Sequence, residues 1–271
     1  MRWLPWTQMS SASTSKRRGP APRAPVPGRR RASPRVLIGA AVLIVAVAAA
    51  VALAFALTGG SSTTTTTAPA RGSLENALPG AAEANRLLKG IPQRGNVLGR
   101  AEAPATLVEY VDLQCPYCQQ FETQAMPTLI ERYVRTGKAK LELRPVAFIG
   151  PDSQRGRNAA IAAGQQNKLF NFVHVLYLNQ GAENTGWLGD DMITAVAASV
   201  PGMDVHRLLD DRNSAATADE ARSFDQQAAD DHLKGTPKIL VGERGQTPQE
   251  VQLTSPTDVQ SVADALDRAL G

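Results

Sequence analysis

Residues 36–58 run for 23 positions without a charge and are rich in Ala, Val, Leu and Ile, so they divide whatever this chain folds into. As a helix they would span roughly 35 Å against a hydrocarbon core of about 30 Å, which predicts a single transmembrane helix. Ahead of them, residues 1–35 hold nine basic residues and no acidic one. Positive charge is retained on the cytoplasmic side, so the tail is expected inside and everything after residue 58 outside the cell membrane. The alternative is a cleaved signal peptide, because Ala54, Phe55 and Ala56 form a small-x-small cleavage pattern. The run exceeds the usual ~7 to 15 residue signal core, which favours the uncleaved anchor. Arg30-Arg31 is followed by Ala-Ser-Pro and lacks the apolar pair of a twin-arginine signal.

The overall balance of +4 conceals an asymmetry: outside the tail, 20 basic residues face 25 acidic ones. A basic character confined to a membrane-proximal tail removes the case for a nucleic-acid partner. That tail is expected to be disordered in the cytoplasm, against anionic headgroups. Residues 59–90 read as linker and lead-in, starting with a Gly/Ser/Thr/Pro spacer over 59–72 that includes five threonines at 63–67. Residues 74–89 are compatible with a short amphipathic helix despite Pro79.

The folded unit is predicted over 91–271. Residues 106–113 alternate β-branched, aromatic and aliphatic side chains and run into Cys115-Pro116, which reads as a buried strand entering a helix. Phe121, Leu129, Ile130 and Tyr133 supply that helix with an apolar face, and Pro127 is expected to kink or split it. A second strand is predicted over 140–146, and a helical insertion over about 153–233. The insertion's apolar faces are Ile161, Leu169, Phe172, Val173 and Leu176, then Met192, Ile193, Val196 and Ala197. Two short strands, 238–241 and 250–253, precede a last helix opened by Ser255-Pro256, with Val259, Val262, Ala263, Leu266 and Leu270 on one side. The order is that of a mixed α/β plan.

The chain has two cysteines, Cys115 and Cys118. A two-residue loop gains little from cross-linking, so chemistry explains the pair better than stability does. At a helix start the first sulfur meets unsatisfied N–H groups and the positive end of the helix dipole, which favours a thiolate. Cys115 is therefore the expected nucleophile and Cys118 the resolving thiol. His174, His206 and His232 have no cysteine or carboxylate at ligand spacing, so no metal and no cofactor are expected, and the histidines read as core or solvated residues. The pairs Asp210-Asp211 and Asp230-Asp231 read as solvated helix faces or ends. No phosphate-binding Gly-rich loop and no Gly-x-Ser-x-Gly elbow occurs.

Residues 110–118, with Cys-Pro-Tyr-Cys following Val-Asp-Leu-Gln, resemble the active-site segment of DsbA-like thioredoxin-fold oxidoreductases. The resemblance extends over about 94–271. It includes Gly95 to Gly99 with Ala103-Pro104 as an opening segment, residues 158–176 as the helical insertion, and Gly235-Thr236-Pro237 as a proline loop. It implies a thioredoxin fold with a helical insertion, preceded here by the transmembrane helix. It also implies that Pro237 is a cis-proline beside the cysteines and that Thr236 offers backbone hydrogen bonds to a substrate strand. Without the upstream cysteines the same dipeptide reads as an ordinary trans turn. The resemblance makes Glu109 a buried acid assisting proton transfer at Cys118; the alternative is a solvent-facing carboxylate on an edge strand. Asp112 reads as a surface acid. Tyr117 stands where the strongest oxidants carry histidine, which removes one source of thiolate stabilisation.

The expected function is extracytoplasmic oxidation of cysteines in exported proteins through a mixed disulfide at Cys115, with a membrane redox partner and a monomeric enzyme. Two alternatives stand: a disulfide reductase or isomerase, and a non-catalytic membrane-tethered binding module.

Overall fold

The computed structural model describes residues 68–271. The basic tail, the expected transmembrane helix and most of the spacer lie outside the described residues. Among the described residues no helix is long and apolar enough to cross a membrane.

A six-stranded mixed sheet organises the domain, in the order β1-β2-β4-β3-β5-β6. Its strands are β1 (Gln93–Arg94), β2 (Val97–Leu98), β3 (Ala105–Asp112), β4 (Ala139–Val146), β5 (Lys238–Glu243) and β6 (Gln249–Val251). All eight residues of β3 are buried, because β4 pairs with it in parallel on one side and β5 antiparallel on the other. Parallel pairing needs a crossover, and residues 116–134 supply it. They form a short α-helix (Pro116–Gln120), a π-helical turn (Phe121–Ala125), a further α-turn (Met126–Leu129) and a second π-helical turn (Ile130–Val134). Pro127 has no N–H to give, and just before it Met126 N–H reaches back to Phe121. The helical path is thus re-registered around the proline and does not end there.

Alternation along β3 separates two packed faces. Ala105, Leu107 and Val111 join the larger core, with Phe121, Leu129 and Cys118 from the crossover and Val262, Ala263 and Leu266 from the last helix (Val259–Leu270). Val108 and Tyr110 join a smaller cluster with Val146, Ala228 and Leu240. Beside that cluster, Asp231 accepts from Tyr110 Oη at 2.6 Å and from Arg144 at 3.2 Å, so it closes a polar network where a solvated helix end was expected.

The insertion holds five helices: Pro151–Gly164, Leu169–Leu178, Asp190–Ala198, Val205–Asp211 and Ala215–Asp230. Residues 179–189 are an irregular loop within it, so the predicted block is less continuous than its composition suggested. The last helix opens at Val259 and not at Ser255-Pro256. Asp258 caps it, its carboxylate accepting from Ser261 N and Thr254 N, which places the first turn three residues later than a proline-led start.

The lead-in contributes a helix over Ala81–Leu88, beginning after Gly80 at φ 78°, and its Ala81, Ala84 and Leu88 enter the larger core. Further upstream, Gly72 and Ser73 are stitched to the insertion. Gly72 N–H donates to Met203 O, Gly202 N–H donates to Gly72 O, and Ser73 N–H donates to Ala198 O, all within 2.8 to 2.9 Å.

Candidate active site

Asp112 ends β3, and three residues later Cys115 sits at the N-cap of the crossover helix with Pro116 at its first position. Pro at that position gives up only an N–H that the helix leaves unused. Both sulfurs are free thiols. Cys118 is fully enclosed, whereas Cys115 keeps 5% of its surface exposed. The two are driven apart electrostatically. The Cys115 thiol is lowered to about 6, chiefly by a hydrogen bond from Cys118; burial opposes this, and Thr236 and the N–H groups of Cys118 and Tyr117 add to it. Burial first, and then the neighbouring Cys115 sulfur, push Cys118 well above the ordinary thiol range. One thiol is ready to react at neutral pH and its neighbour is held protonated.

The Thr236–Pro237 peptide bond is cis, so the trans-turn alternative does not apply. Cys115 Sγ lies 3.3 Å from the Thr236 carbonyl oxygen. Tyr117, 57% exposed, forms with Thr236, Pro237 and residues 253–256 a shallow groove of about 290 Å³ beside the pair. Main-chain groups at the edge of a groove are what an extended polypeptide requires for pairing.

Glu109 shares the face of Leu107 and Val111, so it points into the larger core. It is wholly buried and neither carboxylate oxygen has a hydrogen-bond partner. The edge-strand alternative is ruled out, since Glu109 lies between Leu143 on β4 and Ile239 on β5. Burial, and next the charge of Glu122, raise its pKa well above the usual carboxylate range. Glu122, one turn beyond Cys118, is itself buried and meets His174 Nδ1 at 3.1 Å.

Asp112 is not a surface acid. It is fully buried, and its carboxylate accepts from Gln114 N, Phe148 N, Ile149 N and Ser153 Oγ at 2.6 to 2.9 Å. Four donors replace the water it gave up and tie the end of β3 to the start of the insertion. His206 and His232 are exposed, far in character from the enclosed His174.

The insertion also grips the turn itself. Tyr177 Oη donates to Asp112 O at 3.0 Å, and Gln180 Nε2 donates to Leu113 O at 3.0 Å and Cys115 O at 3.2 Å. Gln114, directly before the first cysteine, is fully buried and bonds Ser153 Oγ at 3.0 Å and Asn184 N at 2.8 Å. None of Gln114, Glu122, His174, Tyr177 and Gln180 was singled out as a site residue from sequence. Gln114 and Glu122 had a local signal, the one directly before Cys115 and the other one turn beyond Cys118.

A family model described as thioredoxin matches residues 93–256. The probable disulfide bond formation protein D of Bacillus cereus is 28% identical over 176 residues, which cover 64% of this chain and 77% of that protein. Oxidised BdbD from Bacillus subtilis superposes with a TM-score of 0.57 at 19% identity, covering 66% of this chain and 97% of that one. For alpha-DsbA1 from Wolbachia pipientis the TM-score is 0.55 at 18% identity, with 69% and 96% covered. At these identities the structural likeness is one of fold.

Proposed function

The chain belongs to the thioredoxin family, with a DsbA-like helical insertion, and from that premise we propose that it is an extracytoplasmic thiol–disulfide oxidoreductase that forms disulfides in exported proteins. The observation that carries the reading is the opposition of the two sulfurs, Cys115 lowered to about 6 at the rim of the groove and Cys118 raised and enclosed. A stabilised Cys115 thiolate favours the reduced pair and makes its disulfide the more oxidising partner.

In the oxidised enzyme a substrate thiolate attacks Cys115 Sγ. The Cys115–Cys118 bond breaks, and Cys118 leaves and takes up a proton, for which the buried acid Glu109 is the proposed source. The substrate's second thiolate then attacks its own sulfur in the mixed disulfide and expels Cys115 as the stabilised thiolate. The substrate loses two electrons and the enzyme gains them. Attack of Cys118 on the mixed disulfide is the same chemistry run from the enzyme side, and Glu109 would accept its proton. Thr236 and Pro237 line the substrate groove and hold the segment that carries the target cysteine.

The uncharged run at 36–58 and the basic tail before it support a single-pass anchor with the tail cytoplasmic and the catalytic domain outside. The enzyme acts as a monomer on exported cysteine-containing proteins. A membrane redox partner with a disulfide of its own accepts the two electrons and restores Cys115–Cys118.

The deciding experiment is the equilibrium reduction potential of the full-length chain against glutathione. A value near −120 mV, the oxidising end of the range such couples span, supports the oxidase; one near −270 mV makes it a reductase. Absence of exchange, with no mixed disulfides trapped by Cys118→Ala in cells, leaves the binding module.

A further inference from the structure

The turn from Asp112 to Cys115, which bears the reacting sulfur, carries carbonyl oxygens that the helix and the insertion both hold. The helix itself uses the Cys115 carbonyl, through Gln119 N–H at 3.1 Å, and the turn uses that of Asp112, through Cys115 N–H at 2.9 Å. The side-chain amide of Gln180 reaches the Leu113 carbonyl at 3.0 Å and the Cys115 carbonyl at 3.2 Å. A primary amide has two N–H groups, one for each oxygen. Gln180 stands just past the end of the helix Leu169–Leu178, half-buried, and is separated from Cys115 by 65 residues.

We propose that Gln180 is a positioning residue for the reacting thiol, fastening the cysteine turn to the helical insertion and offsetting the negative ends of the Leu113 and Cys115 carbonyls. The proposal rests on the reading of Cys115 as the reacting thiol. Its physical basis is a fixed dipole in a site with little water. Unpaired carbonyl dipoles in the turn that bears a thiolate leave negative charge near it, and amide hydrogens placed on those oxygens offset that charge without reorganising as the thiolate forms. The ionisable groups that face Tyr177 are Cys118, Glu109 and Asp112 from the sheet and the cysteine turn and Glu122 on the crossover, which in turn meets His174. Gln180 is uncharged, so its own contribution does not depend on pH.

The clamp gives the insertion a chemical task. Tyr177 and Gln180, three residues apart, hold successive carbonyls of the same turn. Tyr177 is deep and fully enclosed, whereas Gln180 can be changed near the surface with less disturbance to the core.

The test is a thiolate titration by ultraviolet absorbance, with the glutathione equilibrium, on the full-length protein and on Gln180→Met, which keeps the length and removes both donors. The expected result is a raised Cys115 midpoint and a couple on the order of tenfold less oxidising, about 30 mV lower. Gln180→Glu, which sets an acceptor against two acceptors, should move both further the same way. A Gln180→Met curve that superposes on the parent's overturns the proposal. Should Gln180→Met not fold, Gln180→Lys, which keeps a donor at the carbonyls, must hold or lower the parent midpoint, and a raised one overturns the proposal. Failure of the underlying reading is distinguishable, because the parent itself would then show no low thiol titration.

Discussion

Cys115 and Cys118 are three residues apart and are held in opposite protonation states, a difference that one reagent can report. Alkylation of the reduced protein by iodoacetamide should follow a single ionisation with its midpoint near pH 6, at Cys115, while Cys118 stays unmodified through neutral pH. Peptide mapping of the modified protein checks both statements, and Cys115→Ser should abolish exchange altogether. Glu109 makes a second prediction. Its folded pKa is raised, so it contributes its full stability below the unfolded value of about 4.3 and loses it as pH climbs toward the folded value. Glu109→Gln removes that loss. Its unfolding free energy in urea should match the parent's at pH 4 and exceed it at pH 7, the gap growing by up to about 1.4 kcal/mol per pH unit within the window. If Glu109 moves the proton of Cys118, the same variant should slow exchange by roughly a hundredfold or more.

At the scale of elements, capping decides where the last helix begins. Asp258 accepts from Ser261 and Thr254 through both backbone and side chain. Asp258→Ala should therefore cost about 1 kcal/mol, read as a lower urea midpoint. The same helix shows what its sequence could disclose. Val262, Ala263 and Leu266 have a helical period and are buried as that period predicts, but the start was misplaced because a carboxylate cap outweighed Ser255-Pro256. β3 was legible for the same reason, every residue of 106–112 being buried in a strand. The hairpin of β1 and β2 was not, since strands of two residues carry no period. Asp112 was misread because burial of an acid depends on donors that arrive from residues 148, 149 and 153. Cys115, Cys118, Thr236 and Pro237 were legible through local motif, whereas Tyr177 and Gln180 touch the site across more than sixty residues and leave no local trace.

Across the whole domain, the described chain is sewn to the helical insertion before it reaches the sheet. At Gly72 a side chain has no room: a Cβ would lie 2.2 Å from the Val200 carbonyl oxygen and 2.5 Å from that of Ala197. Gly72→Val should undo this seam, and limited proteolysis should then cut the segment around residues 70–75 faster than in the parent while the thiol titration stays in place. The site itself is assembled from further apart. The carbonyl beside Cys115 Sγ belongs to a residue 121 positions downstream, and the amide behind it to one 65 positions downstream. Contacts of such separation form only after long loops close. A chain still emerging, or caught part-way through refolding, therefore lacks the Thr236 contact at Cys115 and the burial that holds Cys118 protonated, and the contrast between its two thiols becomes a clock for its own maturation. A thiol–disulfide oxidoreductase is in this way kept from its full reactivity while it is unfinished itself.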